Sequence, residues 1–325
     1  MNFLSKLNLR RFAKVAAVAA VSGTLLFGGN DAVVNAAPDG MAAFREVYTA
    51  QNFERTFSQS FILYASNFHL EMNAHTHVSE RGAMQSAGNI TWTYTNLKKN
   101  YSTNNTIPFY IDQTGSDMIL YVQRHGTWSK MLMPGLPSGI AVMWQSNDPQ
   151  MNQQIINAVK AAEVINETPE MRIMNVTLDG KKVADILSQN SQASFANLKG
   201  DALAYHQEIF KRWITAIQAN DITFTWTVSK KNWETITAVF DLTNVMRSYA
   251  RYVLDEAAAG RIVLTDEERE LLDAMGYYAE LKSYTSKIES PEKIQMTQPS
   301  NPDAVPEDDD ALDDIFSEMT TVVKK

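Results

Sequence analysis

The chain has 325 residues, a formal charge of −8, 45% hydrophobic residues and no cysteine. The apolar share is sufficient for a real core, and the missing cysteines exclude disulfides, thiolate metal sites, cysteine nucleophiles and a lipobox lipid anchor. An acidic chain without clustered Lys and Arg is unsuited to nucleic acid, whose phosphates need such clusters.

Lys6, Arg10, Arg11 and Lys14 precede a 13-residue apolar run, Val15 to Phe27, and VVNAAP then places Val34 and Ala36 at −3 and −1 of a cleavage site. Basic, apolar and small in that order describes a secretory signal peptide over 1–36, and the apolar run is short for a membrane span. Cleavage after Ala36 removes four positive charges and one negative, moving the formal charge from −8 to −11. The expected location is the periplasm or the outer face of the cell envelope, without a lipid anchor.

MAAFREVYTAQNF reads as a short helix, and strand signals then dominate from Phe61 to Met133. FHLEMNAHTHV alternates apolar and polar residues over its whole length, the pattern of a strand with one buried face. NITWTYTN, IPFYIDQ, DMILYVQ and TWSKMLM follow, with QTGS and RHGT as hairpin turns, so an antiparallel meander is expected. QMNQQIINAVKAAE has helical spacing, MRIMNVTLDGKKV reads as strand and tight turn at Asp179-Gly180, and Ser194–Asn220 reads as a long helix. ITFTWTVSKKNWETITAVFDL reads as a hairpin around Ser229–Asn232. A helical insertion is expected at about 244–276: one helix ending at Gly260, then a second with Thr265 and Glu268 as its capping box. YYAELKSYTSKI reads as one closing strand, giving a single domain over 37–289. Residues 290–325, rich in Pro, Ser and Asp, read as a disordered acidic tail. Within it Leu312, Ile315, Phe316, Met319, Val322 and Val323 recur at helical spacing, which suits a short amphipathic helix that docks on an envelope partner.

The motifs of serine hydrolases, zinc proteases, P-loops and calcium loops are absent from the chain, so neither an enzyme nor a cofactor is expected. Two readings compete for the polar face of FHLEMNAHTHV. His75 and His77 stand about 7 Å apart along the strand and suit one zinc if Glu71 or a neighbouring strand adds a ligand, whereas His69 lies about 20 Å or more away. The unbroken alternation favours the other reading, a solvated face bearing His69, Glu71, His75 and His77. Met72, Met84, Met118, Met131, Met133, Met171 and Met174 crowd the strand regions; thioethers adapt equally to a varied apolar ligand and to an irregular core.

GSDMILYVQRHGTWSKMLMP, with Tyr121 on one strand and Trp128 and Lys130 on the next, resembles the strand–turn–strand of exported carriers of the LolA, LolB and LppX/LprG fold. ITFTWTVSKKNWETITAVFDL resembles the same families' hairpin with its Lys-rich turn, and the likeness covers about residues 40 to 300. The resemblance implies an α+β fold in which a curved antiparallel sheet, a half-open β-barrel, wraps around helices. It further implies a lipid or acyl-chain ligand in an apolar cavity, with Met72, Trp92, Leu120 and Met133 as lining residues. A structural scaffold of the same fold with a filled core is the competing expectation.

Overall fold

The computed structural model describes residues 40–49, 55–65, 68–78, 84–96, 101–114, 117–134, 149–195, 199–264, 269, 272, 278–284 and 298–308. The segment 1–36 read as an export signal, the stretch 312–323 read as amphipathic and most of the helix expected at 265–276 lie outside the described residues.

The fold is α+β and its strands pair antiparallel. Six strands come first: β1 (Arg55–Ala65), β2 (Phe68–Val78), β3 (Met84–Asn96), β4 (Tyr101–Thr114), β5 (Asp117–Arg124) and β6 (Thr127–Pro134). Five follow: β7 (Val159–Glu167), β8 (Met171–Leu178), β9 (Ile222–Ser229), β10 (Thr235–Asp241) and β11 (Tyr278–Tyr284). Together they form one eleven-stranded sheet in the order β6-β5-β4-β3-β2-β1-β11-β10-β9-β8-β7. The expected meander is the first half of that order. The closing strand β11 pairs with β1 on one side and β10 on the other, joining the two halves at the centre.

The turns follow local chemistry. His125 and Gly126 both take positive φ, 49° and 81°, as a two-residue hairpin requires between right-twisted strands. The hairpin around Ser229–Asn232 closes with the Ser229 N–H donating to the Glu234 carbonyl at 2.9 Å.

Among the described residues five α-helices accompany the sheet: α1 (Gly40–Thr49), α2 (Pro149–Ala158), α3 (Gly180–Ser194), α4 (Gly200–Gln218) and α5 (Thr243–Ala258). Ala43, Phe44, Val47 and Tyr48 make the buried stripe of α1, and the Phe44 ring meets Trp226 of β9 at 5.8 Å between centroids. Val245, Met246, Tyr249, Ala250 and Val253 make that of α5, where Tyr249 stacks on Trp213 of α4 at 4.8 Å. Gly260, at φ 72°, ends α5 as expected; the Arg261 N–H donates back to the Glu256 carbonyl at 3.0 Å, closing the helix end. The first part of the expected insertion is therefore a helix of the main core. Helix α1 meets the sheet at β7 and α5 at β11, and α4 packs on both α3 and α5. Among the described residues no helix is long and apolar enough to cross a membrane.

The long helix expected from Ser194 begins at Gly200, and three further elements differ from the sequence expectation. The helix expected to run to Glu163 ends at Ala158, and Val159–Glu167 enters the sheet as edge strand β7. Its Lys-Ala-Ala-Glu favours helix locally, but pairing with β8 overrides that weak preference. Asp179-Gly180 does not turn a hairpin. Asp179 starts α3 instead, its Oδ1 accepting from the Lys182 N–H at 3.1 Å and its carbonyl from the Val183 N–H at 3.0 Å, the work of an N-cap. A Cβ at Gly180 would collide with the Asn220 and Ile217 carbonyls, so α3 begins against the end of α4 only because glycine stands there.

The third difference is the tail. Gln298–Asp308, expected to be disordered, crosses the outer face of the sheet. The Lys130 N–H donates to the Pro306 carbonyl at 3.0 Å and the Asp308 N–H to the Lys130 carbonyl at 2.9 Å, a parallel bridge on edge strand β6. Val305 is buried there in a small cluster with Ala87, Tyr110 and Tyr121, flanked by Ile119 and Trp128. A segment too short and polar to show strand periodicity is ordered by an open edge and an aromatic floor.

That outer cluster carries a testable titration. Tyr110 and Tyr121 lie 5.7 Å apart. Burial pushes the Tyr110 phenol up to about 12, aided by the charge of Asp112 and by Tyr121; burial likewise raises Tyr121 and Asp112. A group with a raised folded pKa contributes stability that is complete below its unfolded value and lost as pH rises. Unfolding free energy should therefore fall as pH rises from 10 to about 12. Tyr110→Phe should flatten that decline and remove one high-pH phenol ionisation from an absorbance titration.

Candidate functional site

The candidate site is the inner face of β2–β6. Strand alternation puts every second residue there, and antiparallel register aligns them in rows across the sheet. One row runs Leu63, Leu70, Trp92. The next runs Met72, Ile90, Ile107, and a third Ala74, Gly88, Phe109, Val122. A fourth runs Thr76, Ser86, Ile111, Leu120, Met131. All of these side chains except glycine are buried, and their apolar members belong to one cluster that continues through α1, α5 and the inner faces of β8–β10.

Three of the four residues expected to line a cavity are thus placed on this face: Met72 is 5% exposed, Trp92 1% and Leu120 3%. Met72 and Trp92 are neighbours, on adjacent strands and adjacent rows. Leu120 stands three strands and four residues away from Met72, about 20 Å by strand spacing. The three residues therefore mark a strip along the face and not one point. Met133 pairs with Met118 in the backbone register; its side chain lies outside the described residues.

The strip is not wholly apolar. Thr76 Oγ1 and Ser86 Oγ are 2.8 Å apart and buried, and Gln113, 1% exposed, stands on the same face of β4. Sequence patterning gave no sign of this polar end, because Thr76 looks like any β-branched strand residue. At the middle of the face Gly88 is required: a Cβ there would strike the Asn73 carbonyl and the Ala74 Cα of β2.

The opposite face of β2 is wet, in line with the alternation. Asn73 and His75 are exposed and His69 and Glu71 half-buried, and the Asn73 amide donates to Glu71 Oε1 at 2.7 Å. The His77 side chain lies outside the described residues.

A charged cluster, unmarked in the sequence, lies at the far end of the inner face. Arg172 of β8 has a side chain 5% exposed. Its Nη1 donates to Glu46 Oε2 of α1 at 2.8 Å and its Nη2 to Glu167 Oε1 of β7 at 3.1 Å. The guanidinium lies 4.7 Å from the centre of the Trp233 ring, and Lys230 also donates to Glu167. Hydrogen bonds from Lys230 and then Arg172 hold the Glu167 carboxyl below its ordinary range. Burial alone would lower the Arg172 pKa, but its bonds to Glu46 and Glu167 outweigh that and raise it. Chemically this is a clamp between α1 and the sheet end, with one carboxylate on each Nη of the guanidinium. The partners are up to 126 residues apart, so sequence spacing could not reveal it.

Comparison with known proteins finds no family model that matches the chain and no curated protein that matches it in sequence.

Proposed function

We propose that the protein is a non-catalytic, exported carrier that holds a lipid or other elongated apolar ligand between the inner face of β2–β6 and the helices, in the manner of the half-open barrels it resembles. The observation that carries this reading is the run of apolar side chains Met72, Ile90, Trp92, Ile107, Phe109, Leu120 and Met131 across five neighbouring strands. A strip about 20 Å long suits an acyl chain better than a compact ligand, and each methylene buried contributes about 0.8 kcal/mol. The Thr76–Ser86 pair and Gln113 supply uncharged polar partners for one end of such a ligand, the composition usual for a lipid-sized site.

The near-complete burial of Trp92 and Leu120 favours a second reading, a scaffold of the envelope whose core is filled by its own side chains. A zinc site at His75 and His77 is the third, and is met by metal analysis of the purified protein. The first two separate in one titration. Delipidated full-length protein is mixed with a fluorescent fatty acid and a fluorescent phospholipid; saturable binding at one site supports the carrier, and no binding of either supports the scaffold.

A further inference from the structure

We infer, resting on the carrier reading, that Arg124 holds the charged end of the ligand, so that the ligand is a single acyl chain ending in an oxyanion, a carboxylate or a phosphate monoester. Alternation along β5 puts Met118, Leu120, Val122 and Arg124 on the inner face. The first three are buried and apolar; the fourth is a cation. Continuing the pairing of Phe109 with Val122 by two residues brings Arg124 level with Ile107. Ile107 pairs with Ile90, and Ile90 with Met72. Arg124 thus ends the apolar row of Met72, and among the described side chains on the inner face of β2–β6 it alone is charged.

Its place in the fold suits that role. Arg124 faces Thr127 across the His125-Gly126 turn, at the end of the β5–β6 hairpin, yet it is only partly exposed and its Nε is shut off from solvent. A guanidinium set beside apolar rows costs desolvation that a leucine there would not. An oxyanion meets its planar fork with two parallel charge-assisted hydrogen bonds. From Arg124 to Met118 the inner face of β5 runs about 20 Å, a line of apolar side chains for the methylenes of one chain. The uncharged Thr76–Ser86 pair lies off that line, on β2 and β3, and leaves the charge to Arg124.

Calorimetric titration of the delipidated full-length protein with laurate, dodecyl phosphate and dodecanol reads the charge preference on one chain length. At least one of the two anions should bind about tenfold tighter than dodecanol or better, the worth of a hydrogen bond to a charged group, and the tighter of the two names the source. Arg124→Gln should abolish that preference while holding dodecanol within about twofold, and Arg124→Lys, which keeps the charge but not the fork, should retain part of it. An arginine that merely packs the hairpin end would, when replaced, move all three probes alike, and that result would overturn its role as the anion's partner. Equal affinity of the unaltered protein for anions and alcohol, or a preference that survives Arg124→Gln, would likewise overturn that role and leave the carrier standing. Binding of none of the three by the unaltered protein would overturn the carrier reading and the role of Arg124 with it.

Discussion

Replacing Arg172 by methionine is expected to lower the unfolding free energy by about 3 kcal/mol, the range for removing one member of a buried ion pair. The change strips Glu46 and Glu167 of their common donor and removes the cation stacked on Trp233. The loss stays near the lower end because both carboxylates retain access to water, at 22% and 30% side-chain exposure. Glu46→Gln should cost less, about 1 kcal/mol, since Arg172 keeps Glu167. Urea unfolding of the two single variants and the double variant measures the coupling. The pH dependence has a definite sign. Glu167 titrates below its ordinary range in the fold, so its contribution is present above the unfolded pKa and lost as pH falls through the folded one. Arg172→Met should blunt that acid sensitivity. A loss below about 0.5 kcal/mol would show that the cluster does not hold α1 to the sheet.

Leu120→Arg is expected to abolish binding of an acyl ligand, at least a hundredfold. Leu120 is buried at the centre of β5's inner face, between Ile111 and Met131. An unpaired guanidinium there is desolvated without compensation, so it must draw in water or a counter-charge where the ligand's methylenes would lie. Two companions separate lost binding from lost fold. Leu120→Phe keeps the site apolar but fills it, and should weaken binding about tenfold with circular dichroism unchanged. Leu132→Arg, one residue beyond Met131 and 42% exposed on the outer face, should leave binding untouched. If Leu120→Phe binds as tightly as the unaltered protein, the strip is not where the ligand sits.

Much of the sheet was legible because its signals are local. The period-two pattern of β2 and β3, the His125-Gly126 turn and the Gly260 helix end each depend on a few consecutive residues, and the structure has them as expected. β7 was not legible. Register shifts between Val159 and Ala161 and between Val164 and Asn166 break its alternation, and an exposed edge strand needs few apolar residues. α3 was hidden by chemistry that is ambiguous in sequence, since Asp-Gly serves equally as a hairpin turn and as an N-cap followed by a first helical glycine. For the site, alternation identified the buried face of Met72, Trp92 and Leu120 but not the distance between them, which register sets. The Arg172 clamp and the strap on β6 are products of tertiary contact between segments far apart in the chain, so no pattern along it announces either.

The carrier account is tested most directly by native mass spectrometry of the full-length gene product, purified from an envelope fraction without delipidation. The account predicts a protein mass that begins near Ala37 and carries one non-covalently bound lipid, removed by organic extraction and restored by added acyl ligand. A single apo mass, unchanged by added fatty acid or phospholipid, would contradict it and leave the filled scaffold in its place.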